Sequence, residues 1–534
     1  MPGIEATPEA NGSSARGASG GASKRDPPEL VAQGVVARWA CRARNLAREP
    51  QTARLDGSTS RARAAAHEGA TGPIIYCVAW GGVQRRRSSS RASCVPLPHC
   101  TSRMAWLARV RIDRARLLTD LHALRKIGAV DYVATARGGD GVSKGVVRPA
   151  LTAKDVEARE WFMGRCSDAG LAPEMDRIGT VLARSAGDGA PRLLAGSHSD
   201  TQPTGGWLDG ALGVCYALEA ARAVKDAGGP PAIDVVNFQD EEGRFGSLTG
   251  SSAFVGDPLN ERAVSGAPEA AAPRETLGDA MAARGLADRP LFTVEADRYG
   301  GFFEAHIEQA TRLESAGFVA ANVKGIVGLR QLAVEFSGLQ GHAGSTPMAD
   351  RKDAAMAACR FVSRVDAVFG DVAPEGAVWT VGSLALAPNT PSIIPGHSKV
   401  VLQFRYEDDA GLDAMEAAAT ACAEETAGVC GWGVSRDRPS VRPVPMDARL
   451  REEIAVAAAT HAGDRWLDLA SGAVHDAANM ARVMPAAMLF VPSIDGVSHA
   501  FHEDTHEDDI AAGAEIYATA CARMLAGWRD GGIS

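Results

Sequence analysis

Beyond about the first hundred residues, apolar positions recur along the chain with two different spacings. Thr152 and Asp155 have the spacing of a capping box and predict the start of a helix. The runs 193–197 and 233–238 are short and mostly apolar, as strands buried on both faces are, and the Ala-rich run 213–227 between them predicts a helix. Alternating strands and helices predict an α/β domain with a mixed, largely parallel sheet and helices on both faces.

A second pattern, of strict alternation, occupies the middle of the chain. Leu332, Val334 and Phe336 are apolar at every second position, which is typical of a strand with one buried face. The run 400–405 repeats this alternation after a helical segment at 354–368. We therefore predict a larger domain in two parts, with a smaller α+β domain inserted between them, and with the bounds 108–322, 323–438 and 439–534.

Residues 1–107 follow neither pattern. They are rich in Gly, Ser, Ala and Pro at the start and contain an Arg/Ser run at 85–91. We expect a low-order extension here, and we expect Met104 to be the true start because periodic sequence begins just after it. A transit peptide is an alternative, but several acidic residues and the lack of an apolar core segment count against it.

Charge and cysteine usage narrow the class of protein. Residues 1–110 contain sixteen Lys and Arg but only seven Asp and Glu, a local excess of nine positive charges. Because the net charge of the whole chain is −9, the remaining residues carry about −18. An acidic body argues against nucleic acid as a partner. Because the ten cysteines form no CxxC pair and no uncharged apolar run nears about 18 residues, we expect a cytoplasmic protein without a membrane span.

Side chains suited to chemistry follow the two predicted buried strands. His198 ends the first, and Asp200 could orient its imidazole. Asp240, Glu241 and Glu242 follow the second, where three adjacent carboxylates repel one another unless a cation or solvent relieves them. One of them could bind a metal ion while its neighbour moves a proton. A surface histidine beside a turn and a solvated acidic turn are the ordinary alternatives.

Three further residues extend this candidate set. Asp209 lies in a glycine-rich stretch at the predicted start of a helix, where an N-cap is the alternative role. His306 lies at a possible strand end, and His499 follows the apolar run 489–491. Imidazoles and carboxylates at the ends of separate strands match the nitrogen and oxygen ligands of zinc or manganese.

The segment from His502 to His506 offers a competing site. It fits the HExxH pattern of single-zinc proteases, in which two histidines one helical turn apart hold the metal. Thr505 and the acidic residues after His506 look like an N-cap and a first helical turn. We therefore predict that His502 precedes the helix and lacks the required geometry.

From about Val110 to its end, the chain resembles the hydantoinase/carbamoylase amidases of the M20 metallopeptidase superfamily. The order and spacing of the shared motifs over some four hundred residues carry this resemblance. The motifs are GSHSDTQPTGG at 196–206 with DG at 209–210, EEGRF at 241–245, HIEQ at 306–309, GHAGSTPM at 341–348 with Arg351 and Asp353, SGAVHDA at 471–477 and DGVSH at 495–499.

The resemblance implies a catalytic larger domain with two divalent ions per subunit, zinc or manganese, with cobalt or nickel also possible. Asp209 would bridge the two ions and Glu241 would be the general base. Asp200 is the second residue that we expect to be catalytic. The remaining implied metal ligands are His198, Glu242, His306 and His499.

The inserted domain is implied to be ferredoxin-like, to act as a lid and to form a homodimer. His342 would then reach the substrate across the subunit interface. Gln309 and Arg405 would also contact the substrate, and Arg405 would bind the carboxylate of the substrate. Ser392 stands where the family often has a carboxylate-binding Asn, for which Asn389 is a possible replacement. Ala310, which follows Gln309, stands where the family commonly has a glycine.

The expected reaction is hydrolysis of the carbamoyl C–N bond of N-carbamoyl-L-amino acids, because the stretch 200–206 looks most like that branch. A small ureido or amide substrate with a carboxylate is implied. Allantoate, ureidoglycolate and β-ureidopropionate hydrolysis are alternatives. A metal-binding protein without catalysis is the alternative from another class.

Overall fold

The computed structural model describes residues 105–130, 145–187, 191–265 and 275–529. They belong to one compact unit, Ser93–Ser534. Of the predicted extension 1–107, residues 1–104, which include the expected start at Met104, lie outside the described residues.

Two sheets and two short strands organise this unit. The strands are β1 (Ala172–Met175), β2 (Val181–Arg184), β3 (Arg192–His198), β4 (Ile233–Phe238), β5 (Tyr299–Ile307), β6 (Ala320–Ile326), β7 (Gly328–Ser337), β8 (Gly341–His342), β9 (Val378–Ala387), β10 (Ile393–Ile394), β11 (His397–Tyr406), β12 (Gly431–Arg436), β13 (Val444–Pro445), β14 (Trp466–Ser471) and β15 (Ala486–Val491).

Helices connect and cover these strands. They are α1 (Arg114–Lys126), α2 (Ala153–Asp168), α3 (Ala211–Asp226), α4 (Thr249–Phe254), α5 (Glu261–Ser265), α6 (Leu277–Ala283), α7 (Arg312–Ala316), α8 (Ala354–Val372), α9 (Asp409–Ala427), α10 (Ala448–Ala462), α11 (Asp476–Met480) and α12 (Glu507–Arg529). Among the described residues, no helix combines the length and apolar character that crossing a bilayer requires.

The larger sheet has the strand order β1-β2-β4-β3-β5-β15-β6-β13, with β14 also paired to β6. Its centre is parallel, because β3 pairs in parallel with β4 and β5, and β5 with β15. The pairs of β1 with β2, β2 with β4, and β15 with β6 are antiparallel. The predicted mixed, largely parallel α/β fold is confirmed.

Both faces of the larger sheet are buried, each in its own core. Along β3, Leu193 and Ala195 belong to one core and Leu194 belongs to the other. This split follows from the two-residue repeat of a strand. It explains why the apolar residues of β4 fall on both faces, with Ile233 and Val235 in one core and Val236 and Phe238 in the other.

The second sheet has the order β12-β7-β11-β9 and is antiparallel. Together with α8 and α9, its strands follow in the order strand, helix, strand, strand, helix, strand, which is that of the ferredoxin-like motif. Alternating residues Leu332, Val334 and Phe336 are buried against these helices in a separate core. The domain bounds and the role of this part as a lid or dimer contact stay predictions.

The starts of α2 and α3 differ from the predicted capping chemistry. Thr152 caps α2 by accepting from the Asp155 N–H, but the Asp155 carboxylate accepts from Leu151 N–H instead of completing the box. Asp209 does not cap α3, since Gly210 occupies the N-cap position and no side chain accepts a hydrogen bond there. The N-cap alternative for Asp209 was wrong, which leaves its carboxylate available to the site.

Candidate metal centre

The parallel strands bring the candidate residues to one edge of the larger sheet. His198 is the last residue of β3 and His306 lies one residue before the end of β5. The Glu241-Glu242 pair follows β4, and His499 follows β15. Because the carboxyl ends of parallel strands meet at the same edge, residues far apart in sequence converge there.

Two groups of ligand atoms form at this edge and share Asp209. His198, Asp209 and His306 make one group, and Asp209, Glu242 and His499 make the other, with the ligand atoms of each group within 4.8 Å of one another. Asp209 Oδ1 lies 3.2 Å from His306 Nε2, and Asp209 Oδ2 lies 3.5 Å from His499 Nε2. The structure therefore brings together all five predicted ligands. Their role as ligands stays a prediction.

The histidine rings are oriented as metal ligands require. Nδ1 of His198 lies 3.1 Å from the Asp200 carbonyl oxygen, and Nδ1 of His306 lies 3.0 Å from the Ile307 carbonyl oxygen. Each carbonyl accepts from Nδ1–H, so in the neutral imidazole Nε2 carries the lone pair. Among the described residues, Nε2 of His306 accepts from the Gly210 N–H at 3.2 Å, and the buried Nε2 of His198 has no hydrogen-bond partner. A divalent cation fits this atom and the nitrogen and oxygen donors around it.

The charges of the centre are strongly coupled. Burial opposes ionisation of Asp209, but the imidazoles of His306, His198 and His499 outweigh it and hold the pKa of Asp209 well below its usual range. Hydrogen bonding to Asp209 likewise raises the pKa of His499 to about 9. Against the opposing effect of burial, the carboxylates also raise the pKa of His198 and His306, so metal binding at this centre would compete with protons for the imidazole nitrogens.

Glu241 lies beside the first ligand group. Its Oε2 is 3.7 Å from His198 Nε2, and its side chain is 11% exposed. Burial raises the pKa of Glu241 well above its usual range. A carboxylate with a raised pKa at the edge of a metal centre has the properties of a general base that takes up and returns a proton.

Asp200 and Asp240 hold the loops beside the ligand groups. The Asp200 carboxylate, predicted to orient the His198 imidazole, lies 3.7 Å from His198 Nδ1 and accepts from the Glu242 N–H at 3.3 Å. The Asp200 main-chain carbonyl accepts from the His198 ring instead. Asp240 has a positive φ of 56°, and its carboxylate accepts from Phe245 N–H at 3.2 Å and from the Thr249 hydroxyl. Asp240 therefore shapes the loop that presents Glu241 and Glu242.

A buried layer behind the ligands went unnoticed in the sequence. Glu304, on β5, accepts from the Ser197 hydroxyl at 2.7 Å and from Ala477 N–H at 2.8 Å. His475 packs its ring 4.5 Å from that of His306 and is buried. Ser197 and His475 belong to two of the motifs that carry the family resemblance, which was the available signal.

Ser498, Gln309 and Glu503 also form hydrogen bonds with Asp209. The Ser498 hydroxyl donates to Asp209 Oδ2 at 2.8 Å, and Gln309 Nε2 donates to the same oxygen at 2.8 Å. The buried carboxylate of Glu503 accepts from the main-chain N–H groups of Leu208 and Asp209. Gln309, which was predicted to contact substrate, thus contacts Asp209 here.

The other predicted substrate contacts lie on or next to the second sheet. His342 is on β8, and Ser392 lies beside it because the Ala343 N–H donates to the Ser392 carbonyl at 3.0 Å. Asn389 follows β9 with a φ of 53°. Arg405, on β11, donates to the Gly472 carbonyl at 2.8 Å. No hydrogen bond or ion pair between described residues joins His342, Asn389 or Ser392 to the ligand groups, so their roles stay predictions.

The HExxH alternative is excluded by the helix boundary. α12 begins at Glu507, so His502 precedes the helix, as predicted. The i, i+4 arrangement on one helical face is therefore absent. Thr505 is not the N-cap, since its hydroxyl donates to the Pro492 carbonyl instead.

An aromatic residue flanks the turn that carries Asp209. Trp207 is buried and stacks on His122 with ring centroids 5.1 Å apart. The guanidinium carbon of Arg125 lies 4.9 Å from the centre of the indole. The indole N–H donates to Asp504 at 3.1 Å. Trp207 therefore ties this turn to the segment that follows His499.

Comparisons with known proteins agree with this geometry. Residues 194–523 match the peptidase family M20/M25/M40. The chain is 36% identical to the N-carbamoyl-L-amino-acid amidohydrolase of Rhizobium meliloti, over 76% of this chain and 95% of that protein. It is 31% identical to the allantoate amidohydrolase of Bacillus subtilis (strain 168), over 73% of this chain and 95% of that protein. A crystal structure of a hydantoinase/carbamoylase family amidase from Burkholderia phymatum matches with a TM-score of 0.70 and 42% identity, and the match covers 78% of this chain and 98% of that one.

The chain therefore belongs to the peptidase family M20/M25/M40, whose members are generally metal-dependent. Within that family it is an amidohydrolase of the hydantoinase/carbamoylase type, a hydrolase that acts on amide C–N bonds.

Proposed function

We propose that this enzyme binds two divalent metal ions and hydrolyses the carbamoyl C–N bond of N-carbamoyl-L-amino acids. The observation that carries the proposal is the sharing of Asp209 by two ligand groups, with the unshared Glu241 carboxylate beside them. The first group would hold one ion and the second group the other. Bound cations would act as Lewis acids toward the ureido carbonyl and would acidify water.

The chain's own residues account for the proton transfers. Glu241 Oε2 takes the proton of the attacking water and then returns it to the departing nitrogen. One water is consumed, and the products are the free amino acid, ammonia and carbon dioxide. Gln309 and Ser498 keep the Asp209 carboxylate oriented during these steps through their hydrogen bonds.

The substrate carboxylate would be bound from the second sheet. Arg405 offers a planar guanidinium that can form two parallel hydrogen bonds with a carboxylate. Its present acceptor is the Gly472 carbonyl in the motif at 471–477, close in sequence to His475. Exchange of that carbonyl for a substrate carboxylate would place the substrate between the two sheets.

We also propose a homodimer in which His342 of one subunit reaches the substrate of the other. The supporting feature is strand β9, an edge strand of the second sheet. It exposes Val378 by 54% and Leu384 by 46%. An edge strand with exposed apolar side chains is a natural surface for pairing with a second copy.

A cytoplasmic location is the last part of this proposal. The described cysteines are free, and most are buried. Free, buried thiols are typical of proteins kept in a reducing compartment.

Ammonia release distinguishes the candidate reactions. Metal-free enzyme would be supplied with zinc, manganese, cobalt or nickel and given N-carbamoyl-L-amino acids, N-carbamoyl-β-alanine, allantoate or ureidoglycolate. We expect metal-dependent release from the N-carbamoyl-L-amino acids. Release from allantoate alone would support the alternative that the Bacillus subtilis relative represents, and no release from any ureido compound would contradict the proposed function.

A further inference from the structure

The buried carboxylate of Glu503 holds the turn that carries Asp209. Its Oε1 accepts from Leu208 N–H at 3.1 Å and from Asp209 N–H at 3.0 Å. Gly206 packs directly against this carboxylate, so that a Cβ at Gly206 would overlap it. The main chain of Asp209 is therefore fixed to a residue almost three hundred positions away.

The same carboxylate also reaches the Asp209 side chain through one intermediate. The Ser498 hydroxyl donates to Asp209 Oδ2 at 2.8 Å and lies 3.3 Å from Glu503 Oε2. Gln309 Nε2 lies 3.0 Å from Ser498 Oγ and completes the cluster. With Oδ2 engaged in these bonds, Oδ1 is directed at His306 and His198.

We propose that Glu503 is a positioning residue that orients Asp209, the one carboxylate common to both ligand groups. It does so through the Asp209 N–H and, by way of Ser498, through the Asp209 side chain. The inference rests on the metal centre of the proposed function. A shared ligand misplaced by a fraction of an ångström weakens both groups at once, so its support has more effect than that of any single ligand.

Two substitutions separate the reach of the side chain from its charge. Glu503→Asp keeps the charge but withdraws the carboxylate by one methylene from the two N–H groups. Glu503→Gln keeps the reach, because its amide oxygen can accept both N–H groups and its amide nitrogen can donate to Ser498. Mn²⁺ binding to the metal-free full-length chain, measured by calorimetry without substrate, is the primary readout.

We expect Glu503→Asp to weaken Mn²⁺ binding about tenfold or more and Glu503→Gln to stay within about threefold of the wild type. Asp176→Asn is the matched control, since Asp176 is another buried carboxylate that accepts main-chain N–H groups but lies outside the ligand groups. It should keep the Mn²⁺ affinity of the wild type. Wild-type affinity in Glu503→Asp, or an equal loss in Asp176→Asn, would overturn the proposal.

A double variant tests the connection through Asp209. Ser498→Ala removes the hydroxyl bond to Asp209 and leaves the main-chain bonds of Glu503 intact. If both residues act on Asp209, the Ser498→Ala/Glu503→Asp chain should lose less Mn²⁺ affinity than the product of the two single losses. Independent, multiplicative losses would contradict this.

The readouts keep this inference distinct from the substrate assignment. A wild-type chain that binds Mn²⁺ but hydrolyses no ureido compound would refute the substrate while leaving the role of Glu503 testable. A wild-type chain that binds no Mn²⁺ would refute the metal centre and the role of Glu503 together.

Discussion

Glu241 and Glu242 are neighbours in the sequence but have different surroundings. Glu242 Oε2 accepts from Gln202 Nε2 at 2.8 Å and lies 3.4 Å from His499 Nε2. Glu241 lies near His198 and has no such amide donor among the described residues. These contacts favour Glu242 as the proposed metal ligand and Glu241 as the proposed proton carrier.

Glu241→Gln should lower kcat by about 10²–10⁴ while metal content stays at the wild-type level, because an amide cannot take a proton from water. Glu242→Gln is the paired control and should lose metal affinity instead. Turnover and metal content of the purified proteins give both answers. Unchanged turnover in Glu241→Gln would rule it out as the base.

At the scale of elements, the turn between β1 and β2 contains a buried acid away from the site. Asp176 accepts from Ile178 and Thr180 N–H at 3.0 and 2.9 Å, and from Phe292 N–H at 3.2 Å. Burial raises the pKa of Asp176 to about 6 from an ordinary value of 3.8. This turn therefore makes the stability of the fold depend on pH.

The folded chain binds the Asp176 proton more tightly than the unfolded chain does. The contribution of this group to stability is therefore complete below pH 3.8 and is lost as the pH rises through about 6. The shift corresponds to about 3 kcal/mol. Relative to Asp176→Asn, the wild type should gain about that much unfolding free energy from about pH 7.5 to 4 in urea titrations. A difference that is constant with pH would show an ordinary pKa.

Strands and helices were predictable where burial determines sequence. β4 was predicted with its observed bounds, Ile233–Phe238, because four of its six residues are apolar and these fall on both faces of the strand. Four of the five candidate ligands were predictable because His198, Glu242, His306 and His499 lie at or after strand ends, whereas Asp209 was found from its glycine-rich motif. The contacts that orient them were not, since the hydrogen bond from Ser498 to Asp209 joins residues 289 positions apart. Such a bond leaves no periodic signal in either segment.

At the scale of the whole molecule, the metal centre links function to stability. Asp209, Glu242 and the carboxylates near them repel one another, and burial raises the pKa of Glu242 in the metal-free chain. A bound cation relieves this repulsion only in the folded state. The metal should therefore stabilise the entire unit.

Removal of the metal by a chelator should lower the melting temperature by several degrees, because free metal at about 100 times its Kd contributes about 2.7 kcal/mol. Thermal scans with chelator, and with zinc or manganese restored, measure this. His499→Ala is a suitable control and should show a smaller chelator effect. An unchanged melting temperature would argue against a site that is occupied in the folded state.

The first described residues suggest a boundary for truncation. Trp106 and Leu107 pack against the core, and Arg109 donates to the Ala227 carbonyl. A chain beginning at Met104 should therefore keep the activity and melting temperature of the full chain. A chain beginning at Ile112 lacks these contacts and should unfold at a lower temperature. Loss of activity in the Met104 chain would contradict this boundary.

The stacking of Trp207 has an optical consequence. Its indole lies two positions before Asp209 and is in contact with His122, Arg125 and Asp504. Indole emission responds to neighbouring cations and to changes in hydrogen bonding, so ion entry at Asp209 would alter the fluorescence of this residue. With nine tryptophans in the chain, the difference between the wild type and Trp207→Phe isolates the signal. The enzyme thus contains a built-in fluorophore for following metal loading in real time, without a label.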